Sequence, residues 1–183
     1  KVLEGFAGPG GLSEGARMVG LTGMLGIDLN ADACATAGAA GHRRFCGSIR
    51  DFEPADLPGV GVWLSAPPCP SFTVAGKGTG RAEYPTVLTA LDQMTWSPGD
   101  PDAWLRTAES VTDPRTALVL ETLRFAVDLP NVQTIVAEQV PAVEGIWIEM
   151  AAELATNFQF SYVNVVTVRA SDLGAATRRE RTF

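Results

Sequence analysis

Apolar residues along this chain gather in short runs punctuated by glycine and proline, and these runs alternate with stretches whose apolar positions recur every three or four residues. The spacing predicts a strand at KVLEGF, a tight turn at Gly8, Gly10 and Gly11, and a helix through LSEGARMVG. MLGIDL is a second strand ending in Asp28, and ADACATAGAAG is an alanine-rich helix stopped by Gly38 and Gly41. RRFCGSI, VGVWLSA and VQTIVAEQV supply three further strands, TALVLETLRFAVDL and EGIWIEMAAELATNF read as helices, and FSYVNVVTVRA alternates as a strand. Repeated β-α units of this kind predict an open, mostly parallel α/β sheet with helices on both faces, its ligands at the carboxyl ends of the strands. The one irregular stretch, Gly76 to about Asp113, contains the turn-rich TWSPGDPDAW and reads as an insertion loop, centred on residues 80–112, with one helix of its own.

Composition narrows the class. With 183 residues, 46% of them hydrophobic, the chain can bury one substantial core, and a single domain is expected. No apolar run approaches the roughly 18 residues of a membrane span, and no charged leader opens the sequence, so the expectation is a cytoplasmic enzyme with no membrane partner. Cys34, Cys46 and Cys69 lack CxxC spacing, and with His42 as the one histidine they make neither a disulfide framework nor a structural zinc site. Fourteen basic against 21 acidic residues give a net charge of −7, an unfavourable balance for gripping a phosphate backbone.

Five segments carry candidate chemistry. In FAGPGGLSEG the glycines stand where a strand turns into a helix, which lets backbone approach a ligand and aims the helix-start N–H groups at it; the spacing is not the dinucleotide fingerprint GxGxxG. Asp28 ends the second strand twenty residues after Gly8, where an acid in nucleotide-binding α/β folds accepts ribose hydroxyls, although a helix-capping role competes with that reading. PPCPSFTVAGKG holds Cys69 among three prolines at the mouth of the sheet, in a stiff loop that suits a nucleophile, whereas Cys34 and Cys46 read as small packing residues. VAEQVPAV ends a dry strand in Glu138, a candidate acid or hydrogen-bond donor, and TRRERTF, if extended, turns Arg179 and Arg181 to one side and Arg178 and Glu180 to the other.

Taken together, in this order and spacing, these segments resemble the DNA (cytosine-5) methyltransferase family: FAGPGGLSEG its cofactor motif, GIDLNADAC its second motif, PPCPSFTVAGK its catalytic loop, EQV its glutamate motif and DLGAATRRERTF its arginine motif. The resemblance covers nearly the whole chain outside residues 80–112. It implies a Rossmann-like, S-adenosylmethionine-dependent methyltransferase fold. In that fold Phe6, Ala7, Gly8, Gly10, Gly11 and Leu12 line the cofactor, Asp28 takes the ribose, Leu29 lies against adenine, and Ser48, Ile49 and Pro67 complete the site. It also implies a reaction. Cys69 adds to C6 of a flipped-out cytosine, Glu138 engages N3 and the exocyclic amine, C5 takes the methyl group, and Arg179 and Arg181 hold the base and the loop. The products are 5-methylcytosine and S-adenosylhomocysteine; no metal is needed.

The implied partner is double-stranded DNA containing the target cytosine, met by a monomer in a bacterial or phage-infected cell, as in restriction-modification. Three positions depart from the family pattern. Gln139 replaces the asparagine after the glutamate, Thr177 the glutamine of the arginine motif, and Ser48 the aspartate that recognises the adenine amino group. The family continues beyond the arginine motif into a target-recognition domain, so residues 1–183 are expected to be a catalytic and cofactor-binding domain cut from a longer chain. The missing part would carry the sequence-reading surface and account for the acidic balance. Two alternatives are an RNA (transfer RNA) cytosine-5 methyltransferase and a non-catalytic cofactor-binding homologue.

Overall fold

Short, mostly apolar runs form the strands β1 (Val2–Gly5), β2 (Met24–Asp28), β3 (Arg44–Cys46), β4 (Val62–Ser65) and β5 (Thr134–Ala137). The helices are α1 (Gly11–Met18), α2 (Ala31–Ala39), α3 (Tyr84–Trp96), α4 (Ala103–Glu109), α5 (Leu120–Asp128) and α6 (Glu144–Asn157), and the short strands β6 (Thr167–Arg169) and β7 (Glu180–Thr182) follow. The computed structural model describes residues 1–68, 72, 82–96, 100, 102–158 and 160–183. They fall into two compact units, Lys1–Pro67 with Arg124–Ala137, and Pro68–Leu123 with Glu138–Phe183.

The first unit is a five-stranded sheet in the order β3-β2-β1-β4-β5, parallel at every pairing. Parallel neighbours require crossovers: α1 joins β1 to β2, α2 joins β2 to β3, and α5 leads into β5. The strand order runs one way from β1 to β3 and the other way from β4 to β5, so right-handed crossovers place α1 and α2 on one face and α5 on the other. Side chains follow the pleat. Val2 and Leu64 pack with Ala16 of α1, joined by Leu12, Leu21, Met24, Val62 and Val136. On the opposite face Trp63, fully buried, stacks on Phe125 of α5 with ring centroids 4.7 Å apart and planes 17° from parallel. Such a pair is worth about 0.5–1.5 kcal/mol beyond the area it buries.

In the second unit α3 packs against α4 and α6, burying Val87, Ala90 and Leu91 of α3, Ala108 of α4 and Ile146, Trp147, Met150 and Leu154 of α6. β6 and β7 form an antiparallel ladder. Thr182 of β7 also exchanges both backbone bonds with Gln139, at 2.9 and 2.8 Å.

Sequence and structure differ in three places. Residues 80–112 carry two helices, α3 and α4, where the pattern predicted one, because the turn-rich break after Trp96 separates two apolar faces instead of ending one. The strand predicted over FSYVNVVTVRA is confined to Thr167–Arg169, since its partner β7 has three residues; Val166 and Phe183 add one further backbone pair. The helix predicted from Thr116 begins as a 3-10 turn, Thr116–Val119, before α5 proper. Among the described residues no helix is long and apolar enough to cross a membrane.

Candidate functional site

The strand order reverses between β1 and β4, and in an open α/β sheet that switch point is where ligands lie. The glycine turn follows β1 at this place. Its backbone is unusual: Phe6 has φ 57°, the one positive φ at a non-glycine among the described residues, and Gly8 and Gly10 have φ 51° and 112°. A methyl group added at Gly8 or Gly11 would meet nothing within 4 Å, so the turn presents bare backbone to open space. Gly10 caps α1 without a side-chain bond, which leaves the helix-start N–H groups to an acceptor.

Asp28 closes this turn from the neighbouring strand. Its Oδ2 accepts the Gly8 N–H at 2.7 Å and its Oδ1 the Asn30 N–H at 2.8 Å, and a carboxylate so engaged keeps lone pairs for two more donors. Helix α2 is capped by Asn30, whose Oδ1 takes the Ala33 N–H at 2.9 Å, so Asp28 is not spent on capping. Leu29 next to it is 76% exposed, an apolar side chain left at the rim. Ser48 and Asp51 form a capping box on the 3-10 turn Ile49–Asp51: the Ser48 hydroxyl accepts the Arg50 N–H, and Asp51 accepts the Ser48 N–H. Ile49 and Pro67 are buried.

Behind the turn lies a buried polar cluster that the sequence did not flag. Arg44, with a side chain 3% exposed, donates through Nη2 to Ser13 Oγ at 3.0 Å and to the Ala7 carbonyl at 3.5 Å, and through Nε to the Gly8 carbonyl at 3.4 Å. Ser13 in turn donates to Glu4, which is 1% exposed and lies 3.8 Å from Arg44. Burial raises the Glu4 pKa above its ordinary value, against the opposing pull of Ser13 and Arg44. Gly26, a lone glycine within an apolar strand, is the one local sign of a close approach there, and it does not name the group that approaches. A methyl group there would stand 2.7 Å from both Arg44 Cζ and Ala7 Cβ.

In the second unit Glu138, the first residue after β5, has its Oε1 2.9 Å from Arg181 Nε and 3.8 Å from Arg179 Nη2, with its side chain 19% exposed. The backbone exchange between Gln139 and Thr182 brings these neighbours together. Glu180 faces the other way and pairs with Arg169 at 2.6 Å, as the alternation of an extended strand requires. Gln139 is buried, its carboxamide oxygen accepting the Val140 N–H at 2.5 Å, and the Thr177 hydroxyl accepts the Arg179 N–H. Cys69 lies outside the described residues. Among the described residues no group of three or more metal-ligating side chains is suited to a metal ion.

A parallel five-stranded sheet with a glycine turn at its switch point and an acid ending the next strand is a Rossmann-like α/β arrangement. Across 99% of this chain and 44% of the other, the fold superimposes with a TM-score of 0.58 and 17% identity on a protein described as a DNA modification methyltransferase encoded within a prophage (E. coli). It also matches a Thermoplasma acidophilum protein over 100% of this chain and 75% of that one, with a TM-score of 0.51 and 11% identity.

Sequence comparison finds a likeness over the amino-terminal part of the chain. Residues 1–90 match the model of C-5 cytosine-specific DNA methylase, the same family that the motifs resemble. The chain is 30% identical over 83 residues, 45% of its length, to the type II methyltransferase M.HaeII of Haemophilus aegyptius. It spans about a quarter of that relative, 26%, and under half of the prophage structure.

Proposed function

We propose that this chain is the cofactor-binding and catalytic part of a DNA (cytosine-5) methyltransferase. The observation that carries the reading is the Glu138–Arg181–Arg179 cluster, in which a strand-end carboxylate and two guanidinium groups from a motif some forty residues away meet at 2.9 and 3.8 Å. The match of residues 1–90 to the methylase family supports it from the other end of the chain.

The glycine turn fits S-adenosylmethionine: open space over Gly8 and Gly11, uncapped helix N–H groups for a carboxylate, Asp28 with spare lone pairs for ribose hydroxyls, and exposed Leu29 as an apolar surface for adenine. Ala7, Leu12, Ser48, Ile49 and Pro67 complete the proposed lining. The Ser48 hydroxyl is engaged by its own turn, so the adenine amino group is recognised elsewhere or weakly. When bound, the cofactor supplies an electrophilic methyl group.

The protein's part is to make cytosine C5 nucleophilic. The Cys69 thiolate forms a bond to C6 of a cytosine flipped out of the duplex, and the displaced π electrons move toward C5 while Glu138 engages N3 and the exocyclic amine. After methylation, loss of the C5 proton and departure of the thiolate from C6 restore the ring and free Cys69. Arg181 orients Glu138 at 2.9 Å, and Arg179, more exposed, remains available for the base or a phosphate.

The test is a denaturing gel of the whole protein with S-adenosylmethionine and duplex DNA carrying 5-fluorocytosine, from which fluorine cannot leave as a cation. A cofactor-dependent covalent adduct that disappears in Cys69→Ser is expected. An adduct on 5-fluorocytosine RNA alone would replace DNA by RNA as substrate, and no adduct on either, with cofactor still bound, would overturn the catalytic reading.

A further inference from the structure

We propose that Arg44 is the positioning residue of the cofactor turn. Its buried guanidinium holds the Ala7 and Gly8 carbonyls from behind, so that the Gly8 N–H meets Asp28, and Glu4 with Ser13 is the built-in counter-ion that keeps it there. The inference rests on the cofactor-binding reading above and deepens it.

The argument starts from what a glycine turn lacks. Gly8, Gly10 and Gly11 have no side chains with which to anchor themselves to the sheet, so their backbone must be fixed by groups from elsewhere. Two such groups reach Gly8 from opposite sides: Asp28 takes its N–H at 2.7 Å, and Arg44 Nε donates to its carbonyl at 3.4 Å. Arg44 comes from β3, two strands away from β1, and reaches the turn only because Gly26 of β2 leaves its path clear.

The contacts to Gly8 and to the Ala7 carbonyl are long for hydrogen bonds, so each is weak by itself. What makes them effective is that the donor is charged and out of water, where such bonds are stronger and a displaced partner is not replaced by solvent. A buried guanidinium is costly unless paired. Glu4, buried as deeply, supplies the opposite charge at 3.8 Å and is joined to it through the Ser13 hydroxyl. His42 packs beneath Gly10, its Nε2 3.5 Å from Glu14, and closes the cluster on that side.

The experiment separates charge balance from loop placement. S-adenosylhomocysteine binding to the whole protein is measured by titration calorimetry, alongside the thermal midpoint, for wild type, Arg44→Met, Arg44→Lys and the double variant Glu4→Gln/Arg44→Met. Arg44→Met, which strands the Glu4 carboxylate, is expected to lose both stability and affinity. The double variant removes the stranded charge and recovers the midpoint, yet binds about tenfold more weakly, because the carbonyls have lost a charged donor. Arg44→Lys keeps the charge but not the fork, so it keeps the midpoint and still weakens binding. In steady state the KM for S-adenosylmethionine rises in these variants while the KM for DNA does not. Double and lysine variants that are folded and bind S-adenosylhomocysteine within twofold of wild type overturn the inference and leave the cofactor reading intact. A wild-type protein that does not bind S-adenosylhomocysteine at all overturns both.

Discussion

Replacing Gly26 by alanine adds one methyl group and tests how the glycine turn is held. The new Cβ would stand 2.7 Å from Ala7 Cβ and 2.7 Å from Arg44 Cζ, about 1 Å inside the usual carbon contact distance of roughly 3.5–4.0 Å. Overpacking of this sort costs about 1–3 kcal/mol. Displacing Arg44 forfeits charge-assisted bonds worth about 1.5–3 kcal/mol. Against these, alanine loses less chain entropy on folding than glycine, a gain of about 0.5–1 kcal/mol. The steric and polar losses win, and Gly26→Ala is expected to destabilise the protein by about 2–5 kcal/mol in urea unfolding. Gly15→Ala is the control. It is the same chemical change in an exposed turn of α1, with nothing within 4 Å of the added atom, and it is expected to stabilise by about 0.5–1 kcal/mol. A Gly26→Ala protein as stable as Gly15→Ala would refute the account of Arg44 passing beneath β2.

Three other outcomes are expected. Trp63→Ala removes a fully buried ring and its stack on Phe125, so urea unfolding of the purified variant should show a loss of about 3–5 kcal/mol; a loss below 1 kcal/mol would mean the second face of the sheet is not packed as described. Burial, helped by Cys46 beside it, pushes the Cys34 thiol up to about 11, so at pH 8 mass spectrometry after iodoacetamide treatment should find exposed Cys46 alkylated well before Cys34, and equal rates would contradict the arrangement. Glu4 has a raised folded-state pKa, so its proton favours the folded state: that contribution is complete below the ordinary value of 4.5 and is lost as pH rises through the raised one. Urea midpoints over about pH 4.5 to 7 should therefore fall more steeply with pH in wild type than in Glu4→Gln/Arg44→Met, and parallel curves would exclude Glu4 as the source.

The fold was largely legible because its signals are local. Strand, glycine turn and helix at the amino terminus, the second strand ending at Asp28, and the mostly parallel character of the sheet all follow from apolar runs and their punctuation, whereas the order of the strands does not. The division of Arg179 and Arg181 from Glu180 followed from the two-residue period of an extended chain, and Glu138 was marked by where its strand ended. Arg44 was not legible. RRFCGSI reads as a strand, but no periodicity records that a guanidinium from it crosses beneath a glycine on the adjacent strand to bond a turn beyond it. Ser48 was readable in another sense: SIRD carries the spacing of a capping box, and the local hydrogen bonds it offers engage the hydroxyl expected at the cofactor. The two helices within residues 80–112 were merged because breaks rich in proline, glycine and aspartate state where a helix stops more clearly than how many there are.

The parallel sheet is assembled from two stretches of chain, residues 1–67 and 124–137, with residues 68–123 running between them. Four strands come from the first stretch and β5 only after a long excursion, so the β4–β5 edge is the most non-local pairing of this sheet. The entropy of closing that excursion grows only logarithmically, by about 0.6 kcal/mol for each doubling of its length. As far as chain closure alone is concerned, a longer or shorter excursion between β4 and β5 therefore changes the stability of the sheet little, and what holds the length of residues 68–123 is their own packing.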